Sequence, residues 1–265
     1  RFDVVHAHFG LTAWPSLVVP AEVHGLTLHG TDLRHRRSRL ITHAALPFID
    51  LLGAASPDLA GKVPGYPKRA VDVLPCGVAT DRFRPLDRPQ ARAELGLQPD
   101  GRYLLFPADP ARVEKRFDRA QAIAARCGAK LLTLGSVDPQ QVPLWVNAAN
   151  AVVVPSDSEG FGLAVLEALA CEVPVICAPT GVHDAATRGI VGADCLPYNE
   201  QAWSELLEVS LGDANRRIVS RERADQFSAQ RMAERLLAAW RTHLASPLDS
   251  AAARNEENVE PTPWD

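Results

Sequence analysis

At 265 residues the chain has room for one large domain or two modest ones. Its 46% hydrophobic and 23% charged residues are a globular composition, and a net charge of −4 argues against a nucleic-acid binder, which would show a basic face. No apolar stretch approaches the roughly twenty residues that a spanning helix needs. The five cysteines, Cys76, Cys127, Cys171, Cys177 and Cys195, are odd in number and contain no C-x-x-C. Neither a disulfide framework nor a zinc site is indicated, and a reducing cytoplasm is the expected setting.

In chain order, short apolar runs alternate with helical patterns, which predicts βαβ units and parallel sheets. Strands are predicted at Val4–His6, Gly25–Leu28, Leu51–Ala54, Val71–Leu74, Tyr103–Phe106, Lys130–Leu134, Ala151–Val154 and Val173–Ala178. Helices are predicted near Leu40–Leu46, Gln90–Leu95, Lys115–Arg126, Gln141–Ala148, Leu163–Ala170, Glu200–Leu211 and Ala214–Gln226. In a last helix, Ala229–His243, the spacing sets Met232, Leu236, Leu237 and Trp240 on one stripe. Thr80 to Pro89 is polar and proline-punctuated, which predicts an interdomain connection. From Ser246 the chain turns polar and proline-bearing and reads as a disordered tail, 246–265. His6 and His8, one residue apart on the first strand, are expected on opposite faces, structural or cleft-lining rather than a metal pair.

The most informative stretch is Val152 to Ala170. An apolar run ends at Pro155, a polar loop carries Glu159, Gly160 and Gly162 bracket Phe161, and a helical run from Leu163 carries Glu167. A glycine-bearing turn between strand and helix lets an anion approach backbone N–H groups at the positive end of the helix. Carboxylates at Glu159 and Glu167, eight positions apart, add hydroxyl-binding groups on either side, as a nucleotide sugar would need.

The E-x7-E pair inside EGFGLAVLEALACEVPVICA resembles the donor-site signature of retaining glycosyltransferases of the GT-B fold, glycosyltransferase family 4. The resemblance runs from about Phe2 to Leu244. It implies that Glu159 touches the donor sugar and that Glu167 holds the ribose. Further motifs agree with it. Arg112 and Lys115, in the loop after the Tyr103–Phe106 strand, could clamp a diphosphate, one as a bidentate fork and one as a point charge. The family uses an Arg and a Lys in this loop at longer spacing, so that its Arg corresponds to Pro110. Thr27-Leu28-His29-Gly30-Thr31-Asp32-Leu33 resembles the HGTDL strand end whose histidine reaches the donor sugar. Leu74 to Phe83 resembles the PNGVD-x-x-x-F junction, with Cys76 and Ala79 replacing Asn and Asp. Leu134-Gly135-Ser136 matches a strand end beside the nucleotide base. After Pro179 one of two usual glycines and a usual glutamate are missing, and Glu172 replaces a frequent glycine.

The implied architecture is α/β of GT-B type, with two Rossmann-like domains of which the N-terminal one is incomplete. In relatives the DVVHAH strand lies about a third of the way along, so preceding βα units are expected to be missing. The expected organisation is a partial acceptor-side domain over 1–86, a donor-binding domain over 87–228, a helix over 229–245 crossing back to the N-terminal half, and the tail. The implied reaction moves a hexose from a UDP-, GDP- or ADP-sugar to an acceptor hydroxyl with retention, without cofactor or metal. Catalytic roles fall to His29, Arg112, Lys115 and Glu159. Donor binding falls to Gly135, Glu159, Gly160, Phe161, Gly162, Leu163 and Glu167. The acceptor is unspecified, nucleic acid is not expected as a partner, and peripheral membrane association is left open. A non-catalytic nucleotide-sugar-binding remnant or subunit, and a GT-B nucleotide-sugar epimerase, are the alternatives.

Overall fold

The computed structural model describes residues 1–65, 70–245 and Trp264, so the expected disordered tail lies, Trp264 apart, outside the described residues. The chain divides into two compact units, Arg1–Gly77 with Gln230–Asp265, and Val78–Ala229. Each is an α/β assembly on a parallel sheet, as the alternation of apolar runs and helices predicts.

The first unit opens with β1 (Phe2–His8), α1 (Ala13–Leu17), β2 (Ala21–Leu28), α2 (Thr31–Arg34) and α3 (Arg36–Ala45). It continues through β3 (Leu51–Ala54), α4 (Pro57–Ala60) and β4 (Asp72–Val73). The four strands pair in sequence order, all parallel. β3 is buried at every position, and its unbroken Leu-Leu-Gly-Ala run fits a strand covered on both faces.

The second unit holds α5 (Arg88–Glu94), β5 (Tyr103–Phe106), α6 (Phe117–Arg126), β6 (Lys130–Thr133), α7 (Val142–Ala148) and β7 (Ala151–Val154). After these come α8 (Leu163–Ala170), β8 (Val175–Cys177), α9 (His183–Thr187), β9 (Ala193–Cys195), α10 (Glu200–Gly212) and α11 (Arg221–Gln226). Its five parallel strands run in the order β6-β5-β7-β8-β9. Leu104, Phe106, Val153 and Ile176 from the strands close with Ile123 of α6 and with Trp203 and Leu207 of α10 into one core. The patterns for α9 and β9 are too short to read: five and three residues cover less than two periods of a helix or a strand. The helix expected over Ala214–Gln226 begins only at Arg221.

The division between units falls at Gly77 and Val78, not at the expected Leu86. The polar segment is tied into the second unit through its backbone. Arg221 donates to the carbonyls of Phe83 and Thr80 (2.8 and 2.5 Å), Arg217 to that of Leu86 (2.7 Å), and Asn147 to that of Arg84 (3.0 Å). Such bonds satisfy main-chain groups that lack a ladder partner, and they do so without apolar periodicity.

The last helix, α12 (Ala229–Leu244), lies on the first unit. Leu236, Ala239 and Trp240 pack against Val4, Val23, Leu51 and Leu74. Leu237, expected on the same stripe, is exposed, because it sits one residue and so about 100° round from Leu236.

Candidate donor-binding site

In the second unit the chain passes from β5 to β6 on one side, then returns to place β7 on the other. The C-terminal ends of β5 and β7 therefore flank a topological switch point, where open parallel sheets form ligand crevices. Lys115 follows β5 and Glu159 follows β7. Their side chains meet across this point, Nζ to Oε2 at 2.6 Å, and are largely withdrawn from water at 15% and 7% exposure. Gly135, at the end of β6, lies against the β5 loop so closely that a Cβ would come within 3.1 Å of Pro110.

Arg112 does not join Lys115. Its guanidinium lies on Glu114 at 2.7 Å, and both side chains are exposed. A three-residue 3-10 turn, Val113–Lys115, separates the two cations, and Arg116 then takes a left-handed conformation (φ 57°) before α6 starts. That break is why the helix begins at Phe117 and not at Lys115 as expected. Asp157 fastens the β7 loop to this corner: it accepts from Arg116 at 3.0 Å and from Arg119 at 2.8 Å, and its own amide donates to the carbonyl of Glu114.

The glycine turn enters α8 with Gly162 at φ 107°, a conformation that only glycine adopts without strain. Phe161 turns inward: its ring packs on Phe227 at 6.3 Å and its carbonyl accepts from the amide of Val182 at 2.7 Å. Gly160 is half-buried beside it, and Leu163, the first residue of α8, is partly exposed. Glu167 lies on the half-buried side of α8, and burial pushes its carboxyl up to about 7 against the opposing pull of the Arg82 guanidinium. A group so displaced is a mark of functional sites, though structural networks produce it too.

Two residues here escaped the sequence reading. Arg82 sits inside the recognised junction motif, but the motif singles out its glycine and aromatic residues instead. His183 is fully buried, and its Nδ1–H donates to the carbonyl of Ala178 at 2.7 Å. Its Nε2 has no partner and stands 2.5 Å from where a Cβ on Gly162 would be. Burial holds its pKa below the ordinary value; Glu159 pulls it upward and Lys115 pushes it down. Its position in the degenerate run after Pro179 was the available signal.

His29 belongs to the first unit, at the C-terminal end of β2. The carboxylate of Asp32 accepts from the amides of Gly10 (2.6 Å), His29 (2.5 Å) and Gly30 (3.0 Å), which is the physical content of the HGTD run. Burial raises the Cys76 thiol to about 11, so it stays protonated and can donate to Nδ1 of His29 at 3.5 Å. The His29 proton then sits on Nε2, 3.1 Å from Nδ1 of His8. Burial and the neighbouring His8 hold the His29 pKa below its usual value. The expectation for His6 and His8 is corrected: their rings lie 5.2 Å apart on one face, since positions i and i+2 of a strand point the same way. His6 accepts from Trp240 Nε1 at 3.0 Å and bonds Thr27 at 2.8 Å, and burial lowers its pKa to about 4.

A family model described as "Glycosyl transferases group 1" matches residues 113–227, which span the Lys115–Glu159 pair and Glu167. The chain is 29% identical over 300 residues to a D-inositol 3-phosphate glycosyltransferase of Segniliparus rotundus, covering 92% of this chain and 67% of that one. Its fold is similar to that of a glycosyltransferase from Rickettsia africae, with a TM-score of 0.71 at 17% identity over 92% of this chain and 77% of that one. It is also similar to sucrose-phosphate synthase from Thermosynechococcus elongatus, with a TM-score of 0.68 at 20% identity, covering 90% and 73%. The architecture is thus α/β of GT-B type, and the chain is a glycosyltransferase whose residues 113–227 match the group 1 model.

Proposed function

We propose that the chain is a retaining, metal-independent hexosyltransferase of glycosyltransferase family 4, using a nucleoside diphosphate sugar as donor. The observation that carries this reading is the Lys115–Glu159 pair at the switch point, beside the glycine entry to α8. In the transfer, the bond from the anomeric carbon to the β-phosphate oxygen breaks, a bond to the acceptor oxygen forms, and the acceptor hydroxyl loses its proton. Charge builds on the departing diphosphate. Lys115 and the amides of the Phe161–Leu163 turn neutralise it, with Arg112 as an outer cation. With two cations and a helix N-terminus in these roles, the diphosphate needs no metal. Glu159 orients sugar hydroxyls, Glu167 holds the ribose, and Gly135 gives the base room to approach the backbone. His29 is assigned to the donor sugar on the strength of its HGTDL motif. Similarity to D-inositol 3-phosphate glycosyltransferases makes a phosphorylated cyclitol the first acceptor to assay. Five free thiols fit a reducing cytoplasm, and no described helix is long and apolar enough to cross a membrane.

Calorimetric titration with UDP, GDP and ADP, without added metal, tests the reading. One of the three should bind in the micromolar range, and Lys115→Ala should weaken it by roughly 10- to 100-fold, as loss of a charge-assisted contact would. A folded chain that binds none of them, or a Lys115→Ala variant that binds unchanged, overturns the donor-site assignment.

A further inference from the structure

The first unit carries a surface that the donor-site reading does not use. α3 and the 3-10 turn after it, Leu46–Phe48, expose a ridge at four-residue spacing: Arg36, Leu40, Ala44 and Phe48. Arg37 and Ile41 form the adjacent row, while Thr42 and Ala45 on the opposite side are buried. Trp14 of α1 extends the apolar strip. Its ring lies 6.2 Å from that of Phe48, and its Nε1–H donates to the carbonyl of Ile41. Leu40, Phe48, Ile41 and Trp14 remain 63%, 59%, 44% and 41% exposed. Contiguous exposure of this kind marks a contact surface more often than chance placement.

The charge around the strip selects the occupant. Arg36, Arg37 and Arg39 crowd the N-terminal half of α3, and among the described residues none of the three has a carboxylate partner. In a chain of net charge −4 this is a local concentration of positive charge. A nucleic acid would engage the arginines but leave Leu40, Ile41 and Phe48 in water. An anionic lipid surface takes both: phosphates meet the guanidiniums while the aliphatic and aromatic side chains enter the headgroup boundary. The aromatic pair sits at one end of the strip, and an indole or phenyl ring is suited to that boundary.

We propose that α3, the turn after it and Trp14 form a docking surface for an anionic lipid bilayer, so that the enzyme works at a membrane face. The inference does not depend on the assignment of the donor site. It is tested by co-sedimentation of the full chain with vesicles of equal parts phosphatidylglycerol and phosphatidylcholine, and with vesicles of phosphatidylcholine alone. Binding is expected to the first, weakened by high salt, and not to the second. Combining Arg36→Ser, Arg37→Ser and Arg39→Ser should weaken it about a hundredfold, from about fivefold per arginine. Leu40→Ser with Phe48→Ser should weaken it about tenfold or more with the circular dichroism spectrum unchanged, since both side chains are exposed. No binding to anionic vesicles overturns the proposal, as does binding that both sets of substitutions leave intact. Tighter binding to single-stranded RNA than to the vesicles, or a dimer that the same substitutions dissociate, would reassign the surface and overturn it equally.

Discussion

The two units use the same backbone device and give it different charge. In each, the loop after a parallel strand reaches a glycine of positive φ, 106° at Gly30 and 107° at Gly162, with ψ differing (−49° and 44°), and a helix begins at the next residue. In the first unit the loop's carboxylate folds back: Asp32 is fully buried and takes three amides of its own surroundings. In the second the loop's carboxylate pairs with a cation on another strand's loop, Glu159 with Lys115. A glycine turn at a strand end therefore does not by itself make an anion site. What differs is the carboxylate's partner, backbone amides for Asp32 and a lysine side chain for Glu159.

The largest effect that would break this comparison is in the first unit. Asp32→Ala strands three donors, two of them buried, and should destabilise that unit by about 4 kcal/mol, measured by denaturant unfolding. If the cost is no more than that of a surface substitution, the carboxylate does not organise the loop.

Next in size is a pH effect in the second unit. The Glu167 carboxyl is raised from 4.5 to about 7, so the folded state holds its proton more tightly than the unfolded chain. Its contribution to stability is then lost as pH climbs from 4.5 to about 7 and stays lost above. Glu167→Gln should accordingly raise the melting temperature at pH 8, by the equivalent of about 3 kcal/mol at most, and change little at pH 4. Equal shifts at both pH values would show that burial of the charge is not the cause.

Gly162→Ala sharpens the steric side of the comparison. An added Cβ would lie 2.5 Å from Nε2 of His183, in a conformation unfavourable to any L residue, and should cost about 2 kcal/mol. A second substitution, His183→Ala, should recover part of that loss in a double-mutant cycle.

The smallest effect concerns the ion pair. Glu159→Gln leaves Lys115 without its anionic partner, so nucleoside diphosphate should bind about fivefold tighter while sugar transfer falls. Weaker diphosphate binding in this variant would mean that the pair does not hold the lysine in reserve.

Much of the second unit was legible beforehand. Tyr103–Phe106, Ala151–Val154 and Leu163–Ala170 have the predicted bounds. Strands buried on both faces leave unbroken apolar runs, and a glycine before an apolar helix marks its start. The α/β class follows from the same alternation. What the chain alone determined, then, is where segments bury apolar surface and where only glycine can turn.

The tertiary structure decided which charges meet. Lys115 finds Glu159 forty-four positions away because β5 and β7 are neighbours at the switch point, while Arg112, three residues from Lys115, is captured by Glu114. Trp240 of α12 donates to His6 of β1, 234 positions away. Each of these pairings depends on strand order and on which way a short side chain faces after a break such as Arg116. Periodicity carries information within an element, whereas a contact between distant loops is set by the sheet that brings their ends together.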